Sequence, residues 1–186
     1  NFHGWQVQGS LRTVQGELQR VMTLINGETA EVHVHGSGRT DAGVHAEAFV
    51  ANVKPTKTFT PERLLKAING NLWNDVRVLK VEKIDDDFHA RFSAKGKTYL
   101  YRVVNAPFIS PFWSRYALHE TRPLDVNKMN ETARLFLGKH DWTAFSAASA
   151  EVDHRVRTIS EFTVESKWDA RANSVIIEFK ISGNGF

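Results

Sequence analysis

The ten residues Gly36-Ser37-Gly38-Arg39-Thr40-Asp41-Ala42-Gly43-Val44-His45 constrain this chain more than any other part of it. Their glycines reach backbone angles closed to other residues, so the segment can turn tightly and hold its polar side chains outward. The flanking residues fix its ends. Val32 and Val34 alternate with Glu31, His33 and His35 in the pattern of a half-buried strand, and residues 48–53 read as a second strand. A phosphate-binding P-loop fits poorly, because no Gly-Lys-Ser/Thr opens a helix and a strand follows instead.

Around this loop the sequence alternates helices and strands. Thr13 caps a helix carrying Val14, Leu18, Val21, Met22 and Ile25 at helical spacing, which closes at Asn26-Gly27. Thr60-Pro61-Glu62 opens a second helix, with Leu64, Leu65 and Ile68 inward and Asn69-Gly70 as its end. Residues 76–84 and Lys97–Asn105 read as strands, and in the latter Tyr99, Tyr101 and Val103 share one face. Asp125 starts a third helix through Val126, Met129, Ala133, Phe136 and Leu137, stopped by Gly138, and residues 159–165 and 174–181 form a terminal strand pair. This order predicts an α+β fold with helices on one face of a mainly antiparallel sheet. The 186 residues, 41% of them hydrophobic, suffice for one domain or for two small halves sharing a sheet. With no cysteine, disulfide scaffolds, thiolate zinc sites, iron–sulfur clusters and thiol nucleophiles are excluded, and a reducing, cytoplasmic compartment is expected. No apolar run is long enough to span a membrane and no secretory pattern opens the chain. It starts at Asn1 and stops directly after Ser182-Gly183-Asn184-Gly185, so a fragment of a longer protein is expected.

The net charge of +3 says little, but its distribution is uneven. The cationic surplus falls in residues 54–105, and residues 88–119 contain no acid at all. There Arg91, Lys95, Lys97, Arg102 and Arg115 alternate with Phe88, Phe92, Tyr99, Tyr101, Phe108, Phe112, Trp113 and Tyr116. Cations for phosphates and flat rings for bases are what unpaired nucleic acid requires, so one reading is an RNA-binding module. Inside the glycine-rich loop, Arg39 lies two residues from Asp41 and can favour its ionised form, which a nucleophile or general base requires. A third reading is a metal hydrolase on His33, His35, Asp41 and His45, since imidazoles at i and i+2 can reach one ion. A half-exposed polar strand face explains the two histidines more simply, and no metal is expected.

Gly38-Arg39-Thr40-Asp41-Ala42-Gly43-Val44-His45-Ala46 resembles the signature loop of the tRNA pseudouridine synthase A family. Phe2-His3-Gly4-Trp5-Gln6, Asp87-Phe88-His89-Ala90-Arg91-Phe92-Ser93-Ala94 leading to Tyr99, and Gly183-Asn184-Gly185-Phe186 agree with the same family in order and spacing. The resemblance implies two similar α/β halves, joining their sheets around a central cleft. These are residues 1–105 with the catalytic loop 36–46, and a truncated 106–186. It implies isomerisation of uridine to pseudouridine in the tRNA anticodon stem-loop at positions 38–40, without metal or organic cofactor, by a homodimer. Asp41 takes the role of nucleophile, Arg39 of base flipping or phosphate contact, and Tyr99 of stacking on the loose uracil and assisting proton transfer. Arg91, Lys95, Lys97 and Arg102 are expected to contact RNA. The family pattern continues past Phe186 to a basic residue that pairs with the aspartate, and has a strand ahead of Phe2.

Overall fold

A computed structural model describes residues 2–27, 32–146 and 154–185 of the chain. The first helix, α1 (Val14–Asn26), begins where the Thr13 hydroxyl accepts the Gly16 amide at 3.2 Å and ends where Gly27, at φ 99°, donates to the Leu24 and Thr23 carbonyls. Strands β1 (Val34–Gly36) and β2 (Ala51–Val53) pair antiparallel, Val34 opposite Val53. Helix α2 (Pro61–Asn71) carries the expected Thr60 cap and first-turn proline. It runs through Asn69-Gly70 to Asn71, because the Leu72 amide still reaches the Ile68 carbonyl.

These elements belong to a first unit, Asn1–Ala94, with its own core. Val21 and Met22 of α1, Val34 of β1, Leu64 and Ile68 of α2, and Trp5, Val32 and Leu72 are all buried together. Each such side chain contributes about 1.5–3 kcal/mol on leaving water. The expected strand over residues 76–84 is absent: those residues join no sheet ladder. The alternation was real, since Val76, Val78 and Val81 pack against the core, but the pairing partner is a side chain. Asn69 donates to the Val78 carbonyl at 2.8 Å and accepts its amide at 2.9 Å, taking the place of a neighbouring strand. Glu31, read as part of the first strand, lies outside the described residues.

The second unit, Lys95–Phe186, is a five-stranded sheet. Its strands are β3 (Lys97–Asn105), β4 (Leu118–Glu120), β5 (Gly138–Asp141), β6 (Val156–Asp169) and β7 (Ser174–Gly183), in spatial order β4-β3-β7-β6-β5. All neighbours are antiparallel except β3 and β4. Because β3 is hydrogen-bonded along its length to β7, it belongs to this unit, which begins at Lys95. Helix α3 (Val126–Ala133), capped by Asp125, tightens into a 3-10 turn over Arg134–Phe136 before Gly138 at φ 100°. It covers one sheet face, where Ala133 packs with Val103, Val164 and Ile177. The fold is mixed α+β, its described strands falling in two sheets, one in each unit.

The opposite sheet face is polar along β6 and β7. Arg102 on β3 and Lys167 on β6 both bind Glu178 on β7, at 2.8 and 2.7 Å. Partial burial pushes the Glu178 carboxyl up, but the hydrogen bonds from Lys167 and Arg102 outweigh it and hold the group below its ordinary 4.5. Stability from a depressed carboxyl is present above the ordinary value and is lost as pH falls through the folded value. Glu178→Gln should therefore unfold more readily than wild type at pH 7, by about 1 kcal/mol after allowance for solvent screening. Urea titrations at pH 7 and pH 3 test this: the difference between the two proteins should shrink at the lower pH.

Candidate functional site

The amides in the first turn of an α-helix have no partner inside the helix. In α1 two of them are satisfied from outside: the Val14 amide donates to the Gly4 carbonyl at 3.2 Å and the Gln15 amide to the Trp5 carbonyl at 3.0 Å. The segment Phe2–Gln6 is thereby laid across the start of the helix. From there Trp5 reaches the glycine-rich loop, its amide donating to the Thr40 carbonyl at 3.0 Å. Gly4 makes this approach possible. It stands at φ 76°, and a Cβ there would run into the Thr40 carbonyl oxygen and sit 3.2 Å from the Asp41 carbonyl carbon. The Trp5 ring is 5% exposed and stacks on Phe49 at 4.3 Å, over Gly36, where any side chain would collide with the indole.

Two further hydrogen bonds close the loop on itself. The Ser37 amide donates to the Val50 carbonyl at 2.8 Å across the neck, and the Val44 amide to the Asp41 carbonyl at 3.2 Å, making a turn at the aspartate with Gly43 at φ 84°. Gln15 adds a brace, donating to the Val34 carbonyl at 2.9 Å while accepting the Val7 amide at 3.0 Å. The result is a backbone fixed on several sides with Arg39 and Asp41 exposed at its tip. Among the described residues these two side chains form no ion pair with each other. A carboxylate held on a rigid backbone and open to solvent suits attack on, or proton abstraction from, a bound substrate.

The 88–93 segment docks in the same unit. Ala90 is buried and its amide donates to the Asn52 side chain at 2.8 Å, which seats the segment against β2. His89 lies between His35 and Phe92, ring centroids 5.0 and 4.4 Å away, and Arg91 is exposed above Phe92. His33 and His35 are exposed as their alternation implied, but among the described residues no three His, Cys, Asp or Glu side chains come together as a metal site. Among the described residues the metal-hydrolase reading finds no ligand set.

In the second unit Tyr99 is 38% exposed, opposite Ile181 in the β3–β7 register, and Lys97 and Tyr101 share its side of the strand. Lys95 is exposed just ahead of it. Arg102 points to the other face and is held by Glu178, so of the expected RNA-contacting cations it is engaged in a structural ion pair. Of the terminal motif, Asn184 pairs with Thr158 through both its amide and its side chain, and Phe186 lies outside the described residues. Sequence reasoning missed the roles of Gly4, Trp5 and Gln15. The signal was a Gly-Trp pair shortly before a helix cap, read only as part of a motif.

A sequence model described as tRNA pseudouridine synthase matches residues 1–93 and 132–186. Over all 186 residues the chain is 44% identical to tRNA pseudouridine synthase A of Lacticaseibacillus casei strain BL23 and spans 73% of that protein. It is 41% identical, over the same share, to tRNA pseudouridine synthase A of Clostridium botulinum strain Eklund 17B, and 38% to that of a Bacillus strain, KSM-64. The family match passes over residues 94–131, which contain Tyr99, whereas these relatives align through them. No helix among the described residues is long and apolar enough to cross a membrane.

The clamp on the loop yields a paired test. Gly9 also has positive φ, at 51°, but its missing side chain would meet nothing within 4 Å. Gly9→Ala should cost about 1 kcal/mol from backbone strain alone. Gly4→Ala adds a collision with the Thr40 carbonyl and should cost at least about twice that in urea unfolding. Equal costs would mean that the close approach is not maintained in solution.

Proposed function

We propose that this chain, which belongs to the tRNA pseudouridine synthase family, converts uridine in tRNA to pseudouridine through the carboxylate of Asp41. The observation that carries this reading is the loop itself: an exposed aspartate on a backbone clamped through Gly4, Trp5 and the 41–44 turn. The reaction breaks the C1′–N1 bond and forms C1′–C5, with a proton lost from C5 and one gained at N1. No group enters or leaves, so the protein must supply position, a carboxylate and proton transfer, with no cofactor called for. Asp41 is the nucleophile. A stem uridine must first leave its stack to meet it, and Arg39, exposed beside the aspartate, contacts the flanking phosphate or fills the vacated space.

The resemblance of the signature loop supports the anticodon stem-loop, at positions 38–40, as the target, and supports a cytoplasmic homodimer. It supports also a complete protein whose two halves join their sheets around a cleft. Tyr99 offers a ring for stacking on the detached uracil and a hydroxyl for assisting C5 deprotonation. Lys95 and Lys97, exposed or half-exposed near it in sequence, and Arg91 supply cations for phosphates.

Asp41→Asn should abolish release of tritium from C5-labelled uridine in tRNA while leaving tRNA affinity within several-fold, because phosphate contacts supply most of the binding. Retained turnover in the Asn variant would overturn the assignment. Tyr99→Phe keeps the stacking face and loses the hydroxyl, so it should bind tRNA almost normally and release tritium about 10²- to 10⁴-fold more slowly. Release at the wild-type rate would limit Tyr99 to stacking.

A further inference from the structure

The segment Phe2–Gln6 bears on the Asp41 loop through Gly4 and Trp5, so whatever holds that segment helps to place the loop. Its backbone is fastened to the start of α1. Besides the Gly4 and Trp5 carbonyls, which accept from Val14 and Gln15, the His3 amide donates to the Arg12 carbonyl at 2.9 Å. The Phe2 end has a second hold, because the Arg12 guanidinium lies over the Phe2 ring, 4.2 Å from its centre.

That guanidinium is itself pinned. Its Nε donates to Glu17 in the first turn of α1 at 3.0 Å, and its two terminal nitrogens donate to the two oxygens of Asp75, in the connection that leaves α2, at 2.6 and 3.1 Å. Two parallel bonds to one carboxylate fix the plane of the group as well as its place, which a lysine ammonium does not do. The hydrogen bond from Arg12 also holds the Asp75 carboxyl below its ordinary 3.8, so the pair is charged at neutral pH. Glu17 is steadied in turn by Arg20 at 3.0 Å, and Arg20 reaches the Asn71 carbonyl at the end of α2 at 3.2 Å. An isolated surface ion pair contributes little to stability, but here one planar group joins three segments of the chain.

We infer that Arg12 is a positioning residue for the Asp41 loop: it keeps Phe2–Gln6 from pivoting on α1 and so maintains the bond from the Trp5 amide to the Thr40 carbonyl. It acts through Gly4 and Trp5, which make the contacts with the loop. Its effect on turnover rests on the Asp41 reading proposed above, whereas its effect on the Trp5 bond does not.

Hydrogen exchange of the Trp5 amide reads that bond directly, and exchange of the Val21 and Met22 amides inside α1 reads the stability of the unit. In Arg12→Ala the Trp5 amide should exchange about tenfold faster than in wild type, with a much smaller change at Val21 and Met22. The single-turnover rate of C5 tritium release at saturating tRNA should fall about tenfold, with the tRNA dissociation constant unchanged. Arg12→Lys keeps the charge and loses the fork, so it should move both readings in the same direction by less, and it serves if the alanine variant does not fold. Arg20→Ala, which loosens Glu17 without touching Phe2, should leave both readings at wild-type values. Equal acceleration at Trp5, Val21 and Met22 would make Arg12 a stabilising residue only and overturn the inference. So would a wild-type rate of tritium release in a variant whose Trp5 amide exchanges faster. If Asp41→Asn kept full turnover while Arg12→Ala released the Trp5 amide selectively, the catalytic reading would fail and the hold of Arg12 on the loop would stand.

Discussion

The hydrogen bond from the Trp5 amide to the Thr40 carbonyl joins a helix start to the loop that carries the aspartate, and most of the first unit is arranged so that it can form. The amides of Val14 and Gln15 would otherwise lack partners, and the carbonyls of Gly4 and Trp5 supply them. Once that segment is in place, the absence of a side chain at Gly4 lets the two backbones touch, and the buried Trp5 ring fills the space over Gly36 and against Phe49. A loop rich in glycine would by itself sample many conformations. Here helix capping, one close backbone contact and one stacked ring pair select among them, leaving the Asp41 side chain as the part that faces solvent.

The second unit follows a different logic. Its sheet is covered on one side by α3 and at one end of the other side by residues 106–117, which connect β3 and β4, with the Arg102–Glu178–Lys167 ladder occupying the polar remainder. One cation of the acid-free stretch thus serves the sheet, and one of its aromatics, Trp113, serves the core. Composition had grouped these residues together, and only the folded chain separates those that hold the structure from those that face outward.

Much of this was legible in the sequence where local rules decide. The caps at Thr13, Thr60 and Asp125 and the β3 strand formed as their residues indicate, because a side-chain hydrogen bond or a two-residue period is a property of neighbours along the chain. What depended on a distant partner was not legible. Residues 76–84 alternate as a strand does, yet Asn69 supplies their pairing. The short strands β4 and β5 carry too few residues for a pattern and exist because β3 and β6 offer edges to them. At the candidate site the motif named the loop and the aspartate but not the reason for the Gly-Trp pair, which lies in a contact across more than thirty positions of sequence.

The central claim is that the clamp, acting through the backbone, sets the position of the Asp41 carboxylate for chemistry. The most direct measurement is the single-turnover rate of C5 tritium release at saturating tRNA for Gly4→Ala, at a temperature where circular dichroism reports a folded protein. A misplacement of about 1 Å can cost on the order of 10²-fold in rate, so the account predicts at least a tenfold fall with the tRNA dissociation constant unchanged. A folded Gly4→Ala protein that reacts at the wild-type rate would contradict it.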